Sequence, residues 1–186
     1  MLFPCAVIFI VIPILDRLIG LDETNPDEDQ QRKMKQEFWY ELLPALVLPL
    51  QGFTLFWAVE MFHTQALGIT GKLSWIISVG VVGSTVGINS AHELIHRRSR
   101  LLQASGGLLL ASMSYGSFKI EHIRGHHQNV ATPEDASSAE IGQSFYRFLP
   151  QAIIQNVSCA ARLETKRLAK KNTGFWSIQN EFLIWS

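Results

Sequence analysis

Leu73-Ser74-Trp75-Ile76-Ile77-Ser78-Val79-Gly80-Val81-Val82-Gly83-Ser84-Thr85-Val86-Gly87-Ile88-Asn89-Ser90-Ala91 contains no charged side chain and runs directly into His92-Glu93-Leu94-Ile95-His96. A helix needs about 20 apolar residues to cross the roughly 30 Å hydrocarbon core of a bilayer. A run of this length and composition therefore predicts a membrane-spanning helix with histidines at its end. Gly80, Gly83, Ser84 and Gly87 place small residues three and four apart, which suits close helix packing.

Working outward, Leu42–Phe62 is a second run of spanning length, with Glu60 its one charge near the end and Pro44 and Pro49 inside it. Proline is tolerated in membrane helices where neighbours satisfy the freed backbone groups. Leu2–Leu15 is a shorter third run, broken by Pro4 and Pro13. It has no basic flank and no small-residue cleavage site, so a signal peptide is not expected. Leu101–Phe118 is richer in Gly and Ser and is expected to lie along the interface or re-enter the membrane. The fold class that follows is all-α: an integral membrane helical bundle of about three spans (2–15, 42–62 and 73–91). It forms a single domain over 1–186, with a cytoplasmic or re-entrant histidine-rich region over 92–181.

Composition agrees. Of 186 residues, 47% are hydrophobic and 17% charged, against about a quarter charged in soluble chains. The net charge is zero, which argues against a nucleic-acid partner. Cys5 and Cys159 are isolated and suggest neither a disulfide framework nor a zinc ribbon. If the three runs each cross once, Lys72 is the one basic residue in the short His63–Lys72 loop, opposite all the others. The positive-inside rule then places the histidine-rich side in the cytoplasm. The polar links read as loops, and Thr132-Pro133-Glu134-Asp135 as a helix start.

Five of six histidines fall in two sets, His92/His96 and His122/His126/His127. Residues four apart share a helix face, so each set can present imidazoles to one side. Ionisable groups near a membrane are costly and usually mark function. The expectation is a metal site. His63, alone at a helix end, reads as an ordinary hydrogen-bonded histidine. Imidazole suits several metals, and five histidines exceed the three protein ligands of a catalytic zinc. Two metals, or a larger ligand set completed elsewhere, fit the number, and nitrogen-rich ligation without thiolate suits iron handling oxygen. Glu93 and Glu121 adjoin ligand candidates and read equally as ring orienters, direct ligands or solvated groups. Two other functions compete. His92-Glu93-x-x-His96 matches the zinc-protease pattern, in which the Glu is a general base. A membrane metal-binding or transport protein is the non-enzymatic alternative.

Asn89-Ser90-Ala91-His92-Glu93-Leu94-Ile95-His96-Arg97, Ile120-Glu121-His122-Ile123-Arg124-Gly125-His126-His127 and Val130-Ala131-Thr132-Pro133-Glu134-Asp135 together resemble the bacterial membrane-bound alkane 1-monooxygenases. These belong to the membrane fatty-acid desaturase and hydroxylase superfamily. The resemblance extends from about Leu15 to the end, including Asp16, Asn25-Pro26, Gly142-Gln143-Ser144, Tyr146 and Asn180-Glu181. It implies two non-haem iron ions held by His92, His96, His122, His126 and His127 with further histidines. It also implies dioxygen as co-substrate and hydroxylation of the terminal carbon of an alkane. Electrons would come from rubredoxin or a ferredoxin, with its reductase. The Ala-Thr-Pro-Glu-Asp run is expected to be structural. The family has further histidine boxes after the position of His127, and this chain has none there. It is therefore expected to be truncated at both ends and inactive by itself.

An alkane offers no polar handle, so its recognition must use an apolar cavity between helices. Phe53, Phe56 and Trp57 are the candidate bulky stops of such a channel. The basic segment Arg162–Lys171 is expected to meet lipid or solvent, or to dock an acidic electron donor.

Overall fold

The structure, a computed structural model, describes residues 2–22, 24–34 and 37–185. Glu23, Lys35 and Gln36, in the expected Asp16–Glu41 link, lie outside the described residues. Among those described, all regular structure is helical. The chain divides into two compact units, Met1–Leu109 and Leu110–Ser186.

In the first unit, α1 is built of Phe3–Ala6, a π-helical turn Val7–Val11, and Ile12–Ile19. The π turn runs into the position of Pro13. A proline ring clashes with the carbonyl four residues back and cannot donate to it, and local widening of the helix absorbs both effects. α2 is Glu28–Met34, and α3 is Trp39–Thr64, continuous through Pro44 and Pro49. α4 is Ile69–Ile95, with a second π turn at Gly83–Ile88. α3 and α4 are the two helices long and apolar enough to cross a membrane. α1 runs from Phe3 to Ile19, about 25 Å at 1.5 Å per residue, and falls short of that length. The sequence expected three spans, so the two clear ones are α3 and α4, the latter longer at both ends than 73–91.

α3 and α4 pack through polar as well as apolar contacts. The indole of Trp75 donates to the Ala58 carbonyl at 3.0 Å, and the Trp57 and Trp75 rings meet edge to face at 5.5 Å. Gln51 is buried against Gly83, where a Cβ would come within 3.0 Å of its Nε2. That close approach is the structural use of one glycine in the small-residue stripe. α5, Arg100–Ser112, spans about 20 Å, shorter than the hydrocarbon core. Its Gly106 lies where a Cβ would strike Ile95 and the Ala91 carbonyl, so α5 seats directly against the end of α4.

In the second unit, α6 combines Ser117–Glu121, a π turn His122–His126, and His127–Asn129. α7 is Phe145–Lys170 and α8 is Glu181–Trp185. Thr132-Pro133-Glu134-Asp135 does not start a helix; the next one begins at Phe145. The physical reason lies in Asp135, whose carboxylate is occupied by donors around it rather than by a first helical turn. α6 and α7 approach closely at Gly125, where a Cβ would stand 2.9 Å from Glu121 Oε1 and 3.3 Å from Leu163.

Candidate metal centre

Two of the five histidines sit at the end of α4 in the first unit. The π turn Gly83–Ile88 immediately precedes the turn that carries them. Such turns are frequent at functional sites because one inserted residue re-aims everything after it. The His92 and His96 rings lie 4.8 Å apart at 73°, on one face as their spacing requires. Glu93 forms an ion pair with Arg97, which also donates to the Tyr40 carbonyl at 2.8 Å and lies 3.8 Å from Glu41. A cleft of about 390 Å³ opens beside His96, with Pro26, Met34, Tyr40 and Arg97 among its walls.

The other three histidines belong to α6 in the second unit. Here the helix is not regular α, as the four-residue spacing suggested, but π across His122–His126. The His122 and His126 rings stack at 5.2 Å and 18°, while His127 meets His122 at 4.6 Å and 87°. The Nε2 atoms of His122 and His127 are 3.1 Å apart. Two imidazole nitrogens bound side by side to one ion, with bonds of about 2.1 Å, stand about 3 Å from each other. The two rings share a hydrogen bond here, at a separation that two imidazoles on one metal ion would also have. His126 turns its Nδ1 to Asp135, at 2.9 and 3.0 Å from the two carboxylate oxygens.

The walls around this cluster are polar, buried and mostly paired. Ser117 Oγ–H donates to Asn156 Oδ1 at 2.9 Å, and Asn156 Nδ2 donates to Glu121 Oε2 at 3.2 Å. Glu121 is fully buried, and its Oε1 has no hydrogen-bond partner. Burial raises its pKa, and the nearby Asp135 charge adds to that effect. Arg124, between the histidines in sequence, reaches Glu164 at 2.8 Å and Glu181 at 2.7 Å. Glu164 also accepts two hydrogen bonds from Arg167 and one from the Glu181 N–H. This network ties α6, α7 and the start of α8 together. It uses Arg167 out of the basic segment, leaving Arg162, Lys166, Lys170 and Lys171 exposed.

The sequence reading named the five histidines and both glutamates. It missed Asp135 as a histidine partner, and also Arg124, Asn156 and Glu164. Asp135 was visible only as part of an acidic loop, and Asn156 and Glu164 only as polar residues in an otherwise mixed helix. Phe53 and Phe56 point outward from α3, 68% and 71% exposed. Trp57 is partly turned toward Trp75, which lines an apolar groove of about 430 Å³ with Leu55, Ala58, Phe62 and Val79.

An all-helical fold with two spanning-length helices and clustered histidines defines a class of membrane metalloprotein, and the chain belongs to the fatty acid desaturase family, whose model matches residues 70–186. Family membership implies iron, and the histidine cluster of α6 supplies nitrogen donors that fit it. The chain is 48% identical to alkane 1-monooxygenase 1 of Pseudomonas aeruginosa over 96% of its own length and 47% of that protein's. It is 44% identical to alkane 1-monooxygenase 2 of Alcanivorax borkumensis over 98% of its length and 48% of that protein's. It is 29% identical to the hydroxylase component XylM of a Pseudomonas putida xylene/toluene monooxygenase, over 88% of its length and 45% of that protein's. The chain spans about half the length of the curated relatives it matches. This family membership sets the zinc-protease and metal-transport alternatives aside.

Proposed function

We propose that the protein is a di-iron monooxygenase that hydroxylates the terminal carbon of an alkane, or a related hydrocarbon methyl group, using dioxygen. The 3.1 Å approach of the His122 and His127 Nε2 atoms carries the reading, together with the similarity to alkane 1-monooxygenases. His92, His96, His122, His126 and His127 would supply nitrogen donors to two iron ions. When bound, iron supplies the oxygen-activating redox chemistry.

The chain's own contribution is to bind, orient and exclude water. The six-residue stretch from His122 to His127 packs three imidazoles against one another on α6, which is seated on α7. Glu93, held by Arg97, and Glu121, held by Asn156, are the surrounding carboxylates and are not assigned as ligands. A linear hydrocarbon is recognised by apolar walls, and the groove between α3 and α4 is the candidate channel. Trp57, braced by Trp75, is proposed as a channel stop; Phe53 and Phe56 are better placed to meet lipid. Electrons would come from rubredoxin or a ferredoxin with its reductase. Exposed Lys166, Lys170 and Lys171 would meet anionic lipid or that donor. Octane hydroxylation dependent on an added donor would test this part of the reaction.

The site itself is tested by purifying the chain in detergent and measuring bound metal. Iron at one to two ions per chain, reduced in His122→Ala and His127→Ala, is the expected result. Zinc in place of iron, or iron unaffected by either substitution, would overturn the reading.

A further inference from the structure

We propose that Asp135 is a positioning residue that holds His126 with its Nε2 toward the metal, which makes the 131–138 loop part of the metal site. The inference rests on the reading that His126 is a ligand. It reassigns a loop whose sequence suggested only a structural signature.

The argument starts from the carboxylate. Its side chain has no solvent exposure, and four contacts surround it. His126 Nδ1 lies 2.9 and 3.0 Å from its two oxygens. The Ser137 N–H donates to Oδ1 at 2.9 Å, and the Ser138 hydroxyl donates to Oδ2 at 2.6 Å. Both carboxylate oxygens face Nδ1, and each already accepts a bond, from Ser137 and Ser138. With the carboxylate as acceptor the imidazole donates through Nδ1–H, which leaves Nε2 as the ring nitrogen with a lone pair for a metal. The ring is pinned at its edge by Asp135 and on its face by the His122 stack at 5.2 Å.

The two carboxylates that adjoin histidines in sequence have other partners. Glu93 is paired with Arg97 and Glu121 accepts from Asn156. Asp135 is nine residues from His126, so the chain must fold back to deliver it. The turn that does so is fastened at several points. Asn129 Nδ2 donates to the Gly125 carbonyl, and Thr132 donates to the Asn129 carbonyl through both its N–H and its hydroxyl. The Asp135 N–H closes on the Thr132 carbonyl at 3.1 Å, and Ala131 takes a left-handed conformation with φ of 61°. A non-glycine residue held in that region indicates a turn fixed by its surroundings. Partners of metal-bound histidines typically contribute a factor of about 10–100 to metal affinity.

The test is a double-mutant cycle on the detergent-purified chain, with Co(II) as the probe. Affinity is read by chelator competition and ligand geometry by the visible Co(II) spectrum, after circular dichroism confirms folding. Asp135→Asn is expected to weaken Co(II) by about 10–100-fold and to alter the spectrum. On a His126→Ala background the same substitution should have no further effect, because Asp135 acts only through that ring. Ser138→Ala, which removes one bond to the carboxylate, should act in the same direction by a few-fold and also vanish on that background. This milder variant decides the matter if Asp135→Asn does not fold. Full-sized loss in the His126→Ala background, or no loss from either substitution, would overturn the proposal while leaving the metal reading intact. Unchanged Co(II) binding in His126→Ala alone would instead overturn the reading on which it rests.

Discussion

Glu164 has no exposed side-chain surface and accepts hydrogen bonds from Arg124, Arg167 and the backbone of Glu181. A buried carboxylate is costly by itself, and removing one partner from such a cluster leaves uncompensated charge, typically at about 3–5 kcal/mol. Glu164→Gln should therefore sharply lower the thermal midpoint of the Leu110–Ser186 unit; an unchanged midpoint would mean the network contributes little. Burial acts to raise the Glu164 pKa, but the Arg167 and Glu181 hydrogen bonds and the two arginine charges bring it below the ordinary glutamate value. A depressed folded pKa gives stability that is complete above about pH 4.3 and is lost as pH falls through the lower folded value. Melting measured from pH 6 down to pH 3 should show that loss in the native chain and a flatter profile in Glu164→Gln. Gly125 shows the same economy of space, since its missing side chain lets α6 approach Leu163 and Cys159 of α7.

At the scale of elements, three π turns among the described residues distinguish this chain from a set of ideal helices. One precedes Pro13, one precedes the His92 turn, and one contains His122 and His126. The last two place histidines where a regular α-helix would aim them differently. α3 and α4 contribute the apolar groove, with Trp75 fixed to the Ala58 carbonyl. If this groove receives the hydrocarbon, Trp57→Ala in the full-length protein should shift preference toward longer chains by removing the bulk that braces Trp75. Product profiles across a series from hexane to hexadecane would read this, and an unchanged profile would remove Trp57 as a channel stop.

For the whole molecule the governing constraint is the bilayer. α3 and α4 are joined by a short loop, so two crossings would return the chain to its starting side. Lys72 is the one basic residue between His63 and Lys72, while Arg97, Arg98 and Arg100 follow the end of α4. On the positive-inside rule, the proposed orientation has the residues after α4 facing the cytoplasm. Reporter fusions should be cytoplasmic when made after Lys171 and external when made in the 65–68 loop. The reverse pattern would invert the orientation proposed for the histidine-rich segments.

By itself the sequence determined the helical membrane class, the two long spans and the identity of the histidine sets. Those features are written in composition and short periods: uncharged length against bilayer thickness, and four-residue spacing against the helical turn. Small residues at Gly83 also announced close packing, and the structure places Gln51 against it. The tertiary structure alone decided which carboxylate serves which partner. Glu93 and Glu121 adjoin histidines in the chain yet bond to Arg97 and Asn156, while the distant Asp135 reaches His126. It also decided that His122 to His126 form a π turn. Hydrogen-bond pairing and helix type depend on what packs around a segment, and that information is spread over residues tens of positions apart.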